Sequence, residues 1–117
     1  MQTTREPVTR EVDDELVGFV TRTDEGTWQA TTTFDVPLGR FDDRDSAAAF
    51  LRAHGLALLA RPWSMWSTTE QRWRRVVLLE AGVGWVRIRR GRDPRSTDIY
   101  ELRGGDLTLL RPPSGGA

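Results

Sequence analysis

His54 is the one histidine of the chain, and there is no cysteine. Thiol nucleophiles and thiolate metal sites are therefore excluded, and a base at His54 would need partners from elsewhere. His54 falls in the last turn of an Ala-rich helical segment, on its apolar side. A helix end favours a cation there, and a lone histidine at such a place reads as structural. Asp42, Asp43 and Asp45 could offer oxygens to a hard cation, but the Gly and Glu that complete a calcium loop are missing. Just ahead of a helix they read as a cap and as charges that suit its dipole. Asp13-Asp14-Glu15 reads as a solvated stretch. Gly82-x-Gly84 and Gly104-Gly105 do not open helices, so they read as turns rather than phosphate cradles. No serine sits in a nucleophile elbow. The expectation is no catalytic residue, no metal and no cofactor; an enzyme would have to assemble its site from scattered segments.

The chemistry that does concentrate is cationic and aromatic. Residues 61 to 95 hold nine arginines against three acids, together with Trp63, Trp66, Trp73 and Trp85. Guanidinium groups pair with phosphates, and exposed indoles stack on bases. Around Trp85 the chain alternates, which places Val86 and Ile88 on one face and Trp85, Arg87 and Arg89 on the other. Arg74, Arg75, Arg90 and Arg92 are close in sequence. Arg74, Arg75, Trp85, Arg87, Arg89, Arg90 and Arg92 are thus the candidate nucleic-acid-binding set. In the competing reading Trp63, Trp66 and Trp73 are core residues covered by arginine.

The elements that position these residues begin with residues 1 to 15, which lack periodicity, include Pro7 and read as a disordered or loosely packed acidic arm. Leu16–Arg22 and Thr27–Phe34 read as strands joined through Asp24-Glu25-Gly26, with Pro37–Phe41 a third extended piece. A helix follows from a capping Asp or Ser near residue 45 to His54, with Ala47, Phe50, Leu51 and His54 on one face and Gly55 ending it. Leu56–Ala60 is an apolar strand or connector, and Pro62–Trp66 an aromatic loop or turn. Gln71–Ala81 contains Val76-Val77-Leu78-Leu79, the pattern of a central strand covered on both sides. Trp85–Arg90 is the next strand. Ile99–Arg103 and Leu107–Leu110 form a closing hairpin around Gly104-Gly105, and residues 112 to 117 a flexible tail. The predicted fold is α+β: a β-β-β-α unit, then an antiparallel meander, in one domain over residues 16 to 111 with a single mixed sheet and one short helix.

Residues 16 to 54 resemble the three-stranded-sheet-plus-helix modules of the integrase arm-binding type. The likeness rests on Gly26-Thr27-Trp28-x-Ala30, Leu38-Gly39-x-Phe41 and the helix start Asp45-Ser46-Ala47-Ala48. It implies the β-β-β-α topology and, in that family, a sheet that enters a DNA groove. Here the corresponding strand, Thr27–Phe34, has no arginine and its surroundings are acidic.

All seventeen basic residues are arginine, and they balance seventeen acids. The balance is uneven along the chain. Residues 1 to 50 carry five arginines and eleven acids, and residues 51 to 117 carry twelve arginines and six acids. Absence of cysteine and of a long apolar run points to a cytoplasmic protein with no membrane partner. The functional expectation is a small non-enzymatic accessory or regulatory protein associated with nucleic acid. The alternative is a protein-interaction or self-assembly module that uses the opposite charges of its two halves.

Overall fold

A computed structural model describes residues 5–91 and 94–113. The fold is α+β, built on two antiparallel sheets rather than the single sheet expected. The first contains β1 (Arg5–Thr9), β2 (Leu16–Arg22), β3 (Trp28–Thr31) and β4 (Pro37–Phe41), in that order. Helix α1 (Arg44–Leu59) packs on it. The second sheet contains β5 (Trp63–Ser67), β6 (Arg72–Gly82), β7 (Trp85–Arg90), β8 (Ile99–Arg103) and β9 (Leu110–Arg111), in the order β8-β7-β6-β5-β9.

The β2-β3-β4-α1 succession has the topology the arm-binding resemblance implies. One strand more precedes it. Arg5–Thr9, expected to be a loose arm, pairs antiparallel with β2 and buries Val8 in the core. One buried side chain and a full ladder suffice to order a segment whose sequence shows little periodicity.

Asp43 caps α1: its side chain accepts from the Ser46 backbone N–H at 2.7 Å. The predicted end of the helix is overturned. It runs through Gly55 to Leu59, so Leu56–Ala60 is mostly helix. Gly55 is there for closeness, since a Cβ at that position would stand 3.1 Å from the Val17 carbonyl oxygen of β2. The buried stripe is Ala47, Ala48, Leu51 and Gly55. His54, expected on the apolar face, is exposed and lies against the Phe50 ring with 5.4 Å between centroids.

Two cores result. Val8, Val17, Val20 and Ala30 of the first sheet meet Ala47, Ala48 and Leu51 of α1. Trp63, Met65, Val76, Val86, Ile88 and Leu102 of the second sheet meet Phe34 and Val36, which lie between β3 and β4. Leu107, on the 3₁₀ segment Gly104–Leu109, completes the second core. The closing hairpin does not form. That 3₁₀ segment carries the chain past the inner face, and β9 pairs with β5 instead of β8. Pro62–Trp66 proves to be mainly strand, because Trp63, Met65 and Ser67 point inward at period two. Of the expected tail, Pro112 and Pro113 are described without regular structure, and residues 114–117 lie outside the described residues.

Among the described residues no helix is long and apolar enough to cross a membrane.

Candidate nucleic-acid interface

The strand pairings of the second sheet decide which side chains share a face. Val76, Val86, Ile88 and Leu102 are buried and define the inner face. Alternation from them, together with the pairs Trp66↔Trp73, Ser64↔Arg75, Val77↔Arg89, Glu80↔Arg87 and Gly82↔Trp85, defines the outer one. Ile99, Glu101 and Arg103 of β8 extend the outer face at one edge, and Arg111 of β9 at the other. It carries Arg75, Arg87, Arg89, Arg103 and Arg111 against Glu80 and Glu101.

The predicted set is therefore divided. Arg75, Trp85, Arg87 and Arg89 share the outer face. Arg74 and Arg90 lie on the inner side, since each is two residues from a buried core position, Val76 and Ile88 respectively. They are engaged there: Arg74 pairs with Glu70, and Arg90 Nε donates to Asp98 at 2.8 Å. Tyr100 and Arg90 hold the Asp98 carboxyl below its usual range, Tyr100 having the larger effect. Arg92 lies outside the described residues.

The outer face itself has two unlike ends. At one, charge is consumed internally. Arg87 reaches Glu80 at 2.7 Å and Glu101 at 3.5 Å, and Arg103 reaches Glu101 at 2.6 Å. The Arg103 guanidinium is the main reason that the Glu101 carboxyl titrates low. Both arginines also lie within 6 Å of the Trp85 ring, at 5.9 and 5.8 Å. Trp85 folds back over Gly82, where a Cβ would run into the indole. Trp85 and Arg87, two of the clearest candidates in the sequence, are thus largely satisfied by their neighbours.

Among the described residues no acid lies on the other end. Arg75 and Arg111 flank Ser64 on adjacent strands, and Arg89 lies on the next pair along β6. Among the described residues none of the three has a carboxylate partner, and Arg89 Nε is buried without a hydrogen-bond partner. Trp66 and Trp73 border this end, edge to face at 5.5 Å and 69°. Trp73 is 39% exposed, and the Arg111 guanidinium sits over its ring at 4.1 Å. Of the three tryptophans that could have been core, only Trp63 is.

Trp66, Trp73 and Arg111 are members of the candidate face outside the set that the sequence suggested. The alternation Trp73-x-Arg75-x-Val77 against Val76 and Leu78 was a usable signal. It was hidden by the apolar run Val76–Leu79, which suggested a strand covered on both faces. In the structure Leu79 is the extra residue of a bulge and is exposed, and the outer face stays open. Arg111 had no local signal, because the pairing that places it joins distant parts of the chain.

The charge asymmetry survives folding. Arg5 pairs with Asp35, Arg10 with Asp13 and Glu15, Arg40 with Glu25, and Arg44 with Glu6 and Asp45, all inside the acidic half. The pairs of Arg72, Arg74, Arg87, Arg90 and Arg103 are made inside the basic half. Local pairing of this kind leaves an acidic surplus in the first half of the chain, in its loops and at the start of α1, and a basic surplus on the second sheet.

His54 has a separate setting. With Phe50, Arg61, Pro112 and Pro113 it lines an open groove of about 520 Å3 beside α1. Among the described residues no carboxylate lines this groove to orient the imidazole. The chain matches no protein-family model, no curated protein and no solved structure.

Proposed function

We propose that this chain is a small non-enzymatic accessory or regulatory protein that associates with nucleic acid through the outer face of its second sheet. The observation that supports this reading is the acid-free end of that face. Three arginines without carboxylate partners among the described residues, Arg75, Arg89 and Arg111, adjoin an exposed indole, Trp73. Guanidiniums already paired to carboxylates bind phosphate only by giving up those partners; these three need not. The contact set is thereby narrowed from the wider arginine cluster to Arg75, Arg89 and Arg111, with Trp66 and Trp73.

Anisotropy titration of a labelled oligonucleotide across a salt series tests the reading. Neutralising three phosphates gives log K against log salt a slope of about −2 on a single strand. Changing Arg75, Arg89 and Arg111 together to Ala removes that slope and weakens binding about a hundredfold at about 0.1 M salt. Arg74→Ala, on the other side of the sheet, leaves affinity unchanged. No binding at low salt, or equal losses from Arg74→Ala and from the triple variant, would sink the proposal.

The uneven charge of the two halves favours a second reading, self-assembly in which the acidic loops and helix start of the first half of one copy meet the basic outer face of another. It predicts a mass by sedimentation that rises with concentration and falls with added salt. A mass that stays monomeric throughout excludes it.

A further inference from the structure

The acid-free end of the outer face has a shape as well as a charge. Adjacent strands stand about 4.8 Å apart, so a five-stranded sheet is about 19 Å across from edge to edge. The major groove of a duplex is about 12 Å wide. A single α-helix or a two-stranded ribbon enters that groove; this face cannot. Against a duplex it would touch only phosphates, and its indoles would have no base to meet. A strand with unstacked bases has no such limit, because its bases can lie flat on a sheet.

Trp73 is placed to receive one. Its ring is exposed and its edge-to-face packing on Trp66 fixes its tilt. One side of the ring is occupied by the Arg111 guanidinium at 4.1 Å. A base stacked on an aromatic ring contributes more than an exposed cation–π contact does, so the base displaces the guanidinium. Arg111 is released beside Arg75, close to where the strand's phosphates must run.

We propose that the ligand of this face is single-stranded nucleic acid, with a base taking the place of the Arg111 guanidinium on Trp73 and the phosphates following Arg75, Arg89 and Arg111. The inference rests on the reading that the face binds nucleic acid at all. Stacking and phosphate pairing use features common to every base and to both sugars. Binding is accordingly tolerant of sequence and equal for DNA and RNA strands.

The test uses the full chain and four labelled probes of one length: oligo-dT, oligo-U, a mixed-sequence single strand and its duplex. The three single strands bind within a few-fold of one another and at least about tenfold more tightly than the duplex. Trp73→Leu, which keeps an apolar residue on the strand, weakens the single strands about tenfold and leaves the duplex unchanged. Trp73→Phe keeps a ring and retains most of the affinity. It also removes the share of tryptophan quenching that Trp73 contributes on binding. Duplex affinity equal to or above that of the single strands overturns this inference while leaving the broader reading intact, as does an unchanged affinity in Trp73→Leu. Failure of all four probes to bind removes both.

Discussion

Trp63→Ala is expected to cost about 3–5 kcal/mol of folding stability, the range for an aromatic ring removed from a packed core. Trp63 is fully buried at the start of β5. Its ring lies 5.7 Å from that of Phe34, in the cluster that includes Val36, Met65, Val76 and Ile88. Its Nε1–H donates to the Leu58 carbonyl at 2.9 Å, in the last turn of α1. The residue therefore ties three things together: the second sheet, the β3–β4 connection and the end of the helix. Trp63→Phe separates the two roles. It keeps most of the ring volume but removes one donor from the Leu58 carbonyl, which still accepts from the Arg61 backbone N–H at 3.2 Å, a loss of about 0.5–1.5 kcal/mol. Urea unfolding of both variants, read as a shift in midpoint at constant m, measures the difference. A Trp63→Ala penalty under about 1 kcal/mol would mean that the ring is not an anchor of the second core.

That anchor lies in a stretch which the sequence presents as a loop. Pro62-Trp63-Ser64-Met65-Trp66 mixes a helix breaker with bulky residues, and its alternation emerges only once Ser67 is added. Elements with strong local signals were legible: β2, β4 and β7, the Asp43 cap, the turn at Gly82–Gly84 and the inward alternation of Val86 and Ile88. What stayed hidden depends on partners far along the chain. β1 is a strand because β2 offers an edge, and β9 because β5 does. Helix α1 continues past Gly55 because tertiary contact with β2 outweighs the helix-ending preference of glycine.

The same distinction governs the candidate site. Composition pointed to the second sheet, since the described arginines of residues 61–95 are mostly on or beside it. Composition could not tell an arginine that is already paired from one that is not. Arg87 and Arg89 are two residues apart on one face; the first bridges two glutamates and the second has no carboxylate partner among the described residues. The difference arises from the register, which places Glu80 and Glu101 beside Arg87 and places Val77 and Ile99 beside Arg89. A bulge at Leu79 sets part of that register, and a bulge is one residue's worth of offset that composition does not encode.

Gly18→Ala is the second large effect expected, and its control is Gly26→Ala. Gly18 lies inside β2, at a φ of +151° that side chains rarely adopt. A Cβ there would run into the Thr31 carbonyl of β3 and stand 3.1 Å from the Leu51 side chain of α1. Neither neighbour yields easily, because Thr31 is held in the β2–β3 ladder and Leu51 is fully buried. Gly26 has a φ of +85° in the turn between β2 and β3, with open space where its Cβ would go. Gly26→Ala thus reports the backbone cost alone, about 1–2 kcal/mol. Gly18→Ala adds overpacking of about 1–3 kcal/mol, for about 2–5 kcal/mol in all. Leu51 also lies 3.8 Å from the position of a Cβ at Gly55, so the missing side chains on strand and helix serve one close approach. Urea midpoints of the two variants decide the matter. If Gly18→Ala costs no more than Gly26→Ala, β2 and α1 can part without penalty and their close approach is not what stabilises the first core.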